Sequence, residues 1–227
     1  MKKGIIVSCQ AEEGSAFNNV ESIIAFAKEA ERGGAVAVRI EGYENIIEVK
    51  RKISIPVVGL IKRKYTNGKV WITPCLQDAV LVEQAGADYI AVDATGRKDP
   101  MHANNGWENL KEICTHTNLP VIGDMAYAGL MNENIKKAEE CGCDLLSTTL
   151  SGYTEDCEEQ EEPDFKFLNT LIDHSNLPII AEGRYYQDKD VVLAKTLGAN
   201  NVVIGTAITR PHLITKRYNE KFNEIQS

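Results

Sequence analysis

Three glycines, Gly86, Gly142 and Gly198, recur at intervals of 56 residues, each between the end of a helix-like stretch and a short apolar run. The repeats read Gln84-Ala85-Gly86-Ala87-Asp88-Tyr89-Ile90-Ala91-Val92-Asp93, Glu140-Cys141-Gly142-Cys143-Asp144-Leu145-Leu146-Ser147-Thr148 and Thr196-Leu197-Gly198-Ala199-Asn200-Asn201-Val202-Val203-Ile204. An earlier copy, Glu31-Arg32-Gly33-Gly34-Ala35-Val36-Ala37-Val38-Arg39, places Gly33 53 residues before Gly86. A glycine at such a point closes a helix in a left-handed turn, and a strand follows. A second series lies between these copies: Ile55-Pro56-Val57-Val58-Gly59, Leu119-Pro120-Val121-Ile122 and Leu177-Pro178-Ile179-Ile180. Proline is tolerated at the first position of a strand.

With a strand at 4–8, the two series interleave into eight strands, at 4–8, 36–40, 56–61, 89–93, 120–123, 145–148, 178–181 and 201–204. Apolar residues at three-to-four spacing predict helices between them, for example over 20–31, 45–52, 105–115, 132–140 and 189–196. Apolar strands alternating with helices are parallel strands covered by helices. The expected fold is an α/β (β/α)8 TIM barrel, one domain over 1–227. The competing open doubly wound sheet lacks its glycine fingerprint after the first strand.

The formal net charge is −8, which disfavours binding to a phosphate backbone and argues against nucleic acid as a partner. The acidity is local. Residues 155–164 hold seven acids and no base, and the rest of the chain carries 26 acids against 25 bases. Such a run reads as a solvated loop. No apolar stretch is long enough to span a membrane, and the run after Lys2-Lys3 is too short for a signal peptide. Six cysteines without paired ligand spacing are expected to be thiols in a reducing cytoplasm. The four histidines, His102, His116, His174 and His212, fall away from strand ends, so no metal site is expected.

In a barrel of this kind the chemistry sits at the C-terminal ends of the strands. The polar residues there are Ser8, Gln10, Arg39, Lys62, Asp93, Asp124, Thr148 or Thr149, Glu182 with Arg184, and Gly205-Thr206. Strand periodicity puts Lys62 in phase with Val58 and Leu60, Asp124 with Ile122, and Glu182 with Ile180. Lys62 follows an apolar run and has Lys64 as a like charge nearby. Desolvation and repulsion would both favour a free amine able to act as a base. The competing reading is an ion pair of Lys62 with Glu182 or Asp93. Gly183-Arg184 and Gly205-Thr206, with Arg210, follow strands 7 and 8, where barrels often hold a phosphate on backbone N–H groups. Plain turns with Arg210 on the surface are the alternative.

Six ordered blocks then carry a resemblance. They are Ile6-Val7-Ser8-Cys9-Gln10-Ala11, Gly59-Leu60-Ile61-Lys62-Arg63, Ala91-Val92-Asp93-Ala94-Thr95, Ser147-Thr148-Thr149-Leu150-Ser151-Gly152-Tyr153-Thr154, Ala181-Glu182-Gly183-Arg184 and Ala207-Ile208-Thr209-Arg210-Pro211. The chain resembles the N-acetylmannosamine-6-phosphate 2-epimerases over its whole length. The resemblance implies a phosphate-binding barrel of sialic acid catabolism that interconverts N-acetylmannosamine 6-phosphate and N-acetylglucosamine 6-phosphate without a cofactor. It implies Lys62 and Glu182 as catalytic residues, and Gln10, Arg39 and Asp124 as substrate contacts; Thr148 joins the expected substrate contacts from its place at a strand end. The phosphate falls to Gly183, Arg184, Gly205, Thr206 and Arg210, and a homodimer is a family-level expectation. The sequence departs from the family pattern at Arg39-Ile40-Glu41-Gly42, at 124–130 and in the acidity of 155–164. The rival functions are another phospho-sugar barrel, such as a Schiff-base aldolase using Lys62, and a non-catalytic sugar-phosphate sensor.

Overall fold

The computed structural model describes residues 1–64, 69–98, 100–101, 104–127, 131–155, 157 and 160–224. Its elements begin with β1 (Gly4–Ser8), α1 (Val20–Arg32), β2 (Ala37–Glu41), α2 (Tyr43–Lys50) and β3 (Val57–Leu60). A hairpin of β4 (Lys62–Lys64) and β5 (Val70–Ile72) precedes α3 (Leu76–Gln84), β6 (Tyr89–Asp93), α4 (Gly106–His116) and β7 (Val121–Asp124). The chain continues through α5 (Met131–Cys141), β8 (Leu145–Ser147), α6 (Phe165–His174), β9 (Ile179–Glu182), α7 (Asp188–Leu197) and β10 (Asn201–Ile204). It ends with the single turn α8 (Thr206–Thr209) and with α9 (Pro211–Asn223).

Eight of these strands close into a parallel barrel in the order β1-β10-β9-β8-β7-β6-β3-β2. They coincide with the eight expected strands to within one residue at either end. The seam pairs Gly4 with Asn201, and the Asn201 side chain donates to the carbonyls of Lys2 (2.8 Å) and Gly4 (3.2 Å). The fold is therefore a (β/α)8 TIM barrel. No helix among the described residues is long and apolar enough to cross a membrane.

Strand alternation builds two cores. Ile6, Ala37, Val58, Ala91, Ile122, Leu145, Ile180 and Val203, one from each strand, fill the barrel interior. Val7, Val38, Val57, Ile90, Val121, Leu146, Ile179 and Val202 face outward and pack beneath the helices. Each fully buried aliphatic side chain contributes roughly 1.5–3 kcal/mol. On α1 the stripe Ile23, Ala27 and Ala30 supplies the covering face, at helical spacing. Gly59 of β3 is needed for close approach: a Cβ there would come within 2.7 Å of Val82 and 2.8 Å of the Ala87 Cβ.

The repeat glycines end helices as expected, with φ of 83°, 105° and 123° at Gly86, Gly142 and Gly198. In the first copy the left-handed residue is Gly34 (φ 88°). Gly33 keeps a helical φ of −76°, because the chain runs one residue further before it turns.

Residues after β3 do not leave the barrel as a plain loop. Lys62, Arg63 and Lys64 pair antiparallel with Ile72, Trp71 and Val70. The Ile61 N–H donates to the Thr73 hydroxyl (3.1 Å), and the Thr73 N–H donates to the Ile61 carbonyl (2.7 Å). The Arg97 guanidinium stacks on Trp71 at 4.1 Å, donates to the Val70 carbonyl (3.2 Å) and pairs with Asp93 (2.5 Å). One arginine thus ties the hairpin to the end of β6. The acidic segment follows β8, on the same face as the strand ends, and Asp156, Glu158 and Glu159 lie outside the described residues. Asp164 is a helix cap, accepting from the Phe167 N–H (2.9 Å) at the start of α6. His102 and residues 128–130 of the stretch after β7 also lie outside the described residues.

Candidate active site

In six of the eight barrel strands the inward position turns from apolar to polar two residues nearer the C-terminal end. Ile6 is followed by Ser8, Ala37 by Arg39, Ala91 by Asp93, Ile122 by Asp124, Leu145 by Ser147 and Ile180 by Glu182. These polar ends lead up to a cavity of about 390 Å³, within the size range of small-molecule sites. Lys62, Gln10, Glu182, Gly183, Arg184, Gly205, Thr206 and Arg210 all line it. Among the named candidates, Arg39, Asp124 and Thr148 do not.

Arg39 and Asp124 form the floor beneath the cavity. Asp124 is fully buried and Arg39 is 3% exposed. The guanidinium forks onto the carboxylate, with Nη1 3.2 Å from Oδ1 and a closer Nη2–Oδ2 contact. The same Nη1 lies 3.3 Å from Glu182 Oε2. Burial alone pushes the Arg39 pKa down, but the Asp124 and Glu182 carboxylates outweigh it and hold the guanidinium charged. Burial raises the Glu182 pKa above its ordinary value, and the Asp124 charge adds to it. Arg39, the Thr149 hydroxyl and Lys62 oppose that rise.

Lys62 sits at the base of the hairpin, half-buried, its backbone held in the β4–β5 ladder. Its pKa is pushed down to about 8, first by burial, then by the charges of Arg210 and Arg39, against the pull of Glu41 and Glu182. The sequence offered Lys64 as the repelling neighbour. That side chain is exposed, and the cations that act on Lys62 come from β2 and from the turn before α9. Asp93 is taken up by Arg97, and no ion pair of Lys62 occurs among the described residues. The lysine therefore faces the cavity with a weakly held proton.

Two hydroxyls follow β8, and the pleat separates them. Thr148 donates to the Glu182 carbonyl (2.8 Å) and accepts from the Glu182 N–H (2.9 Å), so its hydroxyl is spent on the backbone of β9. Thr149 lines the cavity, with Oγ1 2.8 Å from Glu182 Oε2, 2.9 Å from Asp124 Oδ1 and 2.7 Å from Ser147 Oγ. Continuing the alternation Leu145, Ser147, Thr149 would have pointed to Thr149 over Thr148.

At the mouth, Gly183 (φ 111°) and Arg184 (φ 64°) turn the chain sharply after β9. The Arg184 guanidinium donates to the carbonyls of Glu162 (3.0 Å) and Ser151 (2.8 Å) and lies 5.2 Å from the Tyr153 ring. It thereby ties the loop after β8 to the rim. Arg210 pairs with Glu12 at 2.6 Å. Gly205 packs against Ser8, and the Thr209 hydroxyl donates to the Ser8 carbonyl (3.0 Å), which seats α8 over the end of β1. The rim also carries Lys69, Tyr153, Tyr185 and Tyr186, which sequence reasoning did not single out. Lys69 reaches the site only because the hairpin folds back over it.

The model of a family described as "Putative N-acetylmannosamine-6-phosphate epimerase" matches residues 23–224. A relative in Caldanaerobacter subterraneus subsp. tengcongensis, named "Putative N-acetylmannosamine-6-phosphate 2-epimerase", is 46% identical over 96% of this chain and 90% of its own. One of the same name in Clostridioides difficile is 39% identical over 96% of this chain and 95% of its own. A solved structure of the N-acetylmannosamine-6-phosphate 2-epimerase from Clostridium perfringens superposes with a TM-score of 0.86. It is 33% identical and covers 95% of this chain and 92% of that one. By fold, site and sequence together, the chain belongs to the N-acetylmannosamine-6-phosphate epimerase family.

Proposed function

We propose that the protein interconverts N-acetylmannosamine 6-phosphate and N-acetylglucosamine 6-phosphate by moving a proton at C2. The observation that carries this reading is the pairing of Lys62, its pKa lowered to about 8, with Glu182, its pKa raised, at one cavity. Opposite shifts bring an amine and a carboxyl toward the same working pH, as acid–base catalysis requires.

In the open-chain sugar the C2 proton lies α to the aldehyde. Its removal leaves an enolate, and a proton returned to the opposite face inverts the centre. One member of the pair takes the proton and the other supplies one, so the working state holds a single proton between them. The reverse reaction exchanges the roles. The Gln10 amide lines the cavity and has no side-chain hydrogen bond among the described residues, which leaves it for the carbonyl or the acetamido group. Arg39 and Asp124 hold Glu182 from below.

The phosphate is assigned to the backbone N–H groups of Gly183, Arg184, Gly205 and Thr206, with Arg210 as its cation. Arg210 would exchange Glu12 for the phosphate. The Arg184 side chain braces the loop after β8, so its part here is through its backbone. Remote phosphate binding orients C2 between the two proton carriers.

The test is to incubate the protein with N-acetylmannosamine 6-phosphate in heavy water and follow the products by NMR. N-acetylglucosamine 6-phosphate should form with one deuterium at C2. Absence of conversion contradicts the assignment.

A further inference from the structure

Thr149 has one hydroxyl proton and two carboxylate neighbours. Its Oγ1 is 2.8 Å from Glu182 Oε2 and 2.9 Å from Asp124 Oδ1, and both are hydrogen-bonding distances. One proton serves one of them at a time. If both carboxylates were ionised, the second contact would set two acceptors against each other in a buried site. Both contacts are satisfied when Glu182 carries a proton: Glu182 then donates to Thr149, and Thr149 donates to Asp124. Asp124 already receives both nitrogens of the Arg39 fork, whereas Glu182 receives one longer contact from the same guanidinium. Glu182 is therefore the carboxyl that takes the proton. Ser147 Oγ, 2.7 Å from Thr149 Oγ1, supplies the remaining contact to that hydroxyl.

We propose that Thr149 is a positioning residue for Glu182, a hydroxyl switch that turns between Asp124 and Glu182 as Glu182 gains and loses its proton. This rests on the assignment of Glu182 as a proton carrier at C2. When Glu182 gives its proton to C2, a C–H bond forms, the Oε2–H bond breaks and Oε2 becomes a carboxylate. The Thr149 hydroxyl then rotates from Asp124 to that oxygen. When Glu182 takes a proton from C2, the rotation reverses. Thr149 keeps its own proton throughout, so the cycle needs no further reactant. The hydroxyl lowers the cost of moving between the two states by offering a partner to each.

The groups facing Glu182 are Arg39 on β2, Lys62 on β4, Asp124 on β7 and Thr149 after β8; Arg210 and Glu41 act on Lys62. Of these, Thr149 alone is uncharged, so replacing it changes a hydrogen bond and leaves the charge count as it was. Hydrogen bonds to an ionised group are the stronger kind, so losing the hydroxyl disfavours the carboxylate more than the acid.

The experiment measures the pH dependence of C2 proton exchange and epimerisation for wild type, Thr149→Val and Thr149→Ser. Valine keeps the shape and removes the hydroxyl, and serine restores it. In Thr149→Val, kcat should fall by about tenfold or more while KM stays within about threefold, in keeping with a defect in proton transfer. Its acidic limb should move to higher pH. Thr149→Ser should recover most of kcat and return the limb toward wild type. Should the valine protein not fold, Thr149→Ala carries the same expectation. Wild-type kcat and acidic limb in a folded hydroxyl-free variant overturn the role of Thr149 and leave the epimerase assignment standing. Absence of C2 exchange in wild type overturns both.

Discussion

A lysine with its pKa near 8 and a glutamate with a raised pKa define the acid–base window of this site. In the proposed reaction the working pair holds one proton. Above about pH 8 that proton is lost as Lys62 deprotonates, and below the raised Glu182 value a second proton is taken up. Exchange at C2 should therefore be bell-shaped in pH in both directions. Its falling limb should lie near pH 8 and its rising limb above the ordinary glutamate value, both being properties of the coupled pair. A pH–rate profile checks this, and activity that keeps climbing to pH 10 contradicts it. Beneath the pair, Asp124→Ala would leave the Arg39 guanidinium buried with only Glu182 to answer it. That should cost about 3–5 kcal/mol, read from urea unfolding. A loss under 1 kcal/mol would mean that the floor is not the rigid support described.

Close packing of helices on the barrel puts its sharpest demand on β3. Gly59→Ala would drive a Cβ to 2.8 Å from that of Ala87 and 2.7 Å from Val82, so a loss of about 1–3 kcal/mol is expected in denaturant titration. A second effect belongs to α4, where Asn105 accepts from the Glu108 N–H (3.0 Å) and the Glu108 side chain accepts from the Asn105 N–H (2.9 Å). Asn105→Ala should cost about 1 kcal/mol.

The barrel strands were readable because each repeat glycine or strand proline marks a boundary, and a period of two then places every side chain inside or outside. That is how Lys62, Asp124 and Glu182 could be put in phase from sequence alone. The hairpin was not readable. Lys62-Arg63-Lys64 looks like a solvated charge run, and its strand identity comes from partners six to ten residues away and from the Arg97 stack on Trp71. The same is true of Arg184, whose guanidinium is claimed by the carbonyls of Ser151 and Glu162 across the mouth. Contacts set by tertiary closure leave no local pattern.

At the scale of the molecule, a chain of net charge −8 offers an anion a rim with Lys62, Lys69, Arg184 and Arg210. Much of the acidity lies in the loop after β8, where two of the described acids are bound up in structure and Glu161 and Glu162 are exposed. Asp164 caps α6, and Glu155 lies 3.7 Å from Arg97. KM for the sugar phosphate should therefore rise with ionic strength while kcat changes little, since screening weakens capture before chemistry. The barrel closes on itself through β1 and β10, so we expect the whole chain to unfold as one unit, with near- and far-ultraviolet circular dichroism changing together. The central claim, that Lys62 and Glu182 move a proton at C2, is tested most directly by exchange of the C2 proton of N-acetylmannosamine 6-phosphate with deuterium from the solvent, compared between wild type and Lys62→Ala. The account predicts rapid exchange in wild type and none above background in a Lys62→Ala protein with unchanged circular dichroism. Normal exchange in that variant would contradict it.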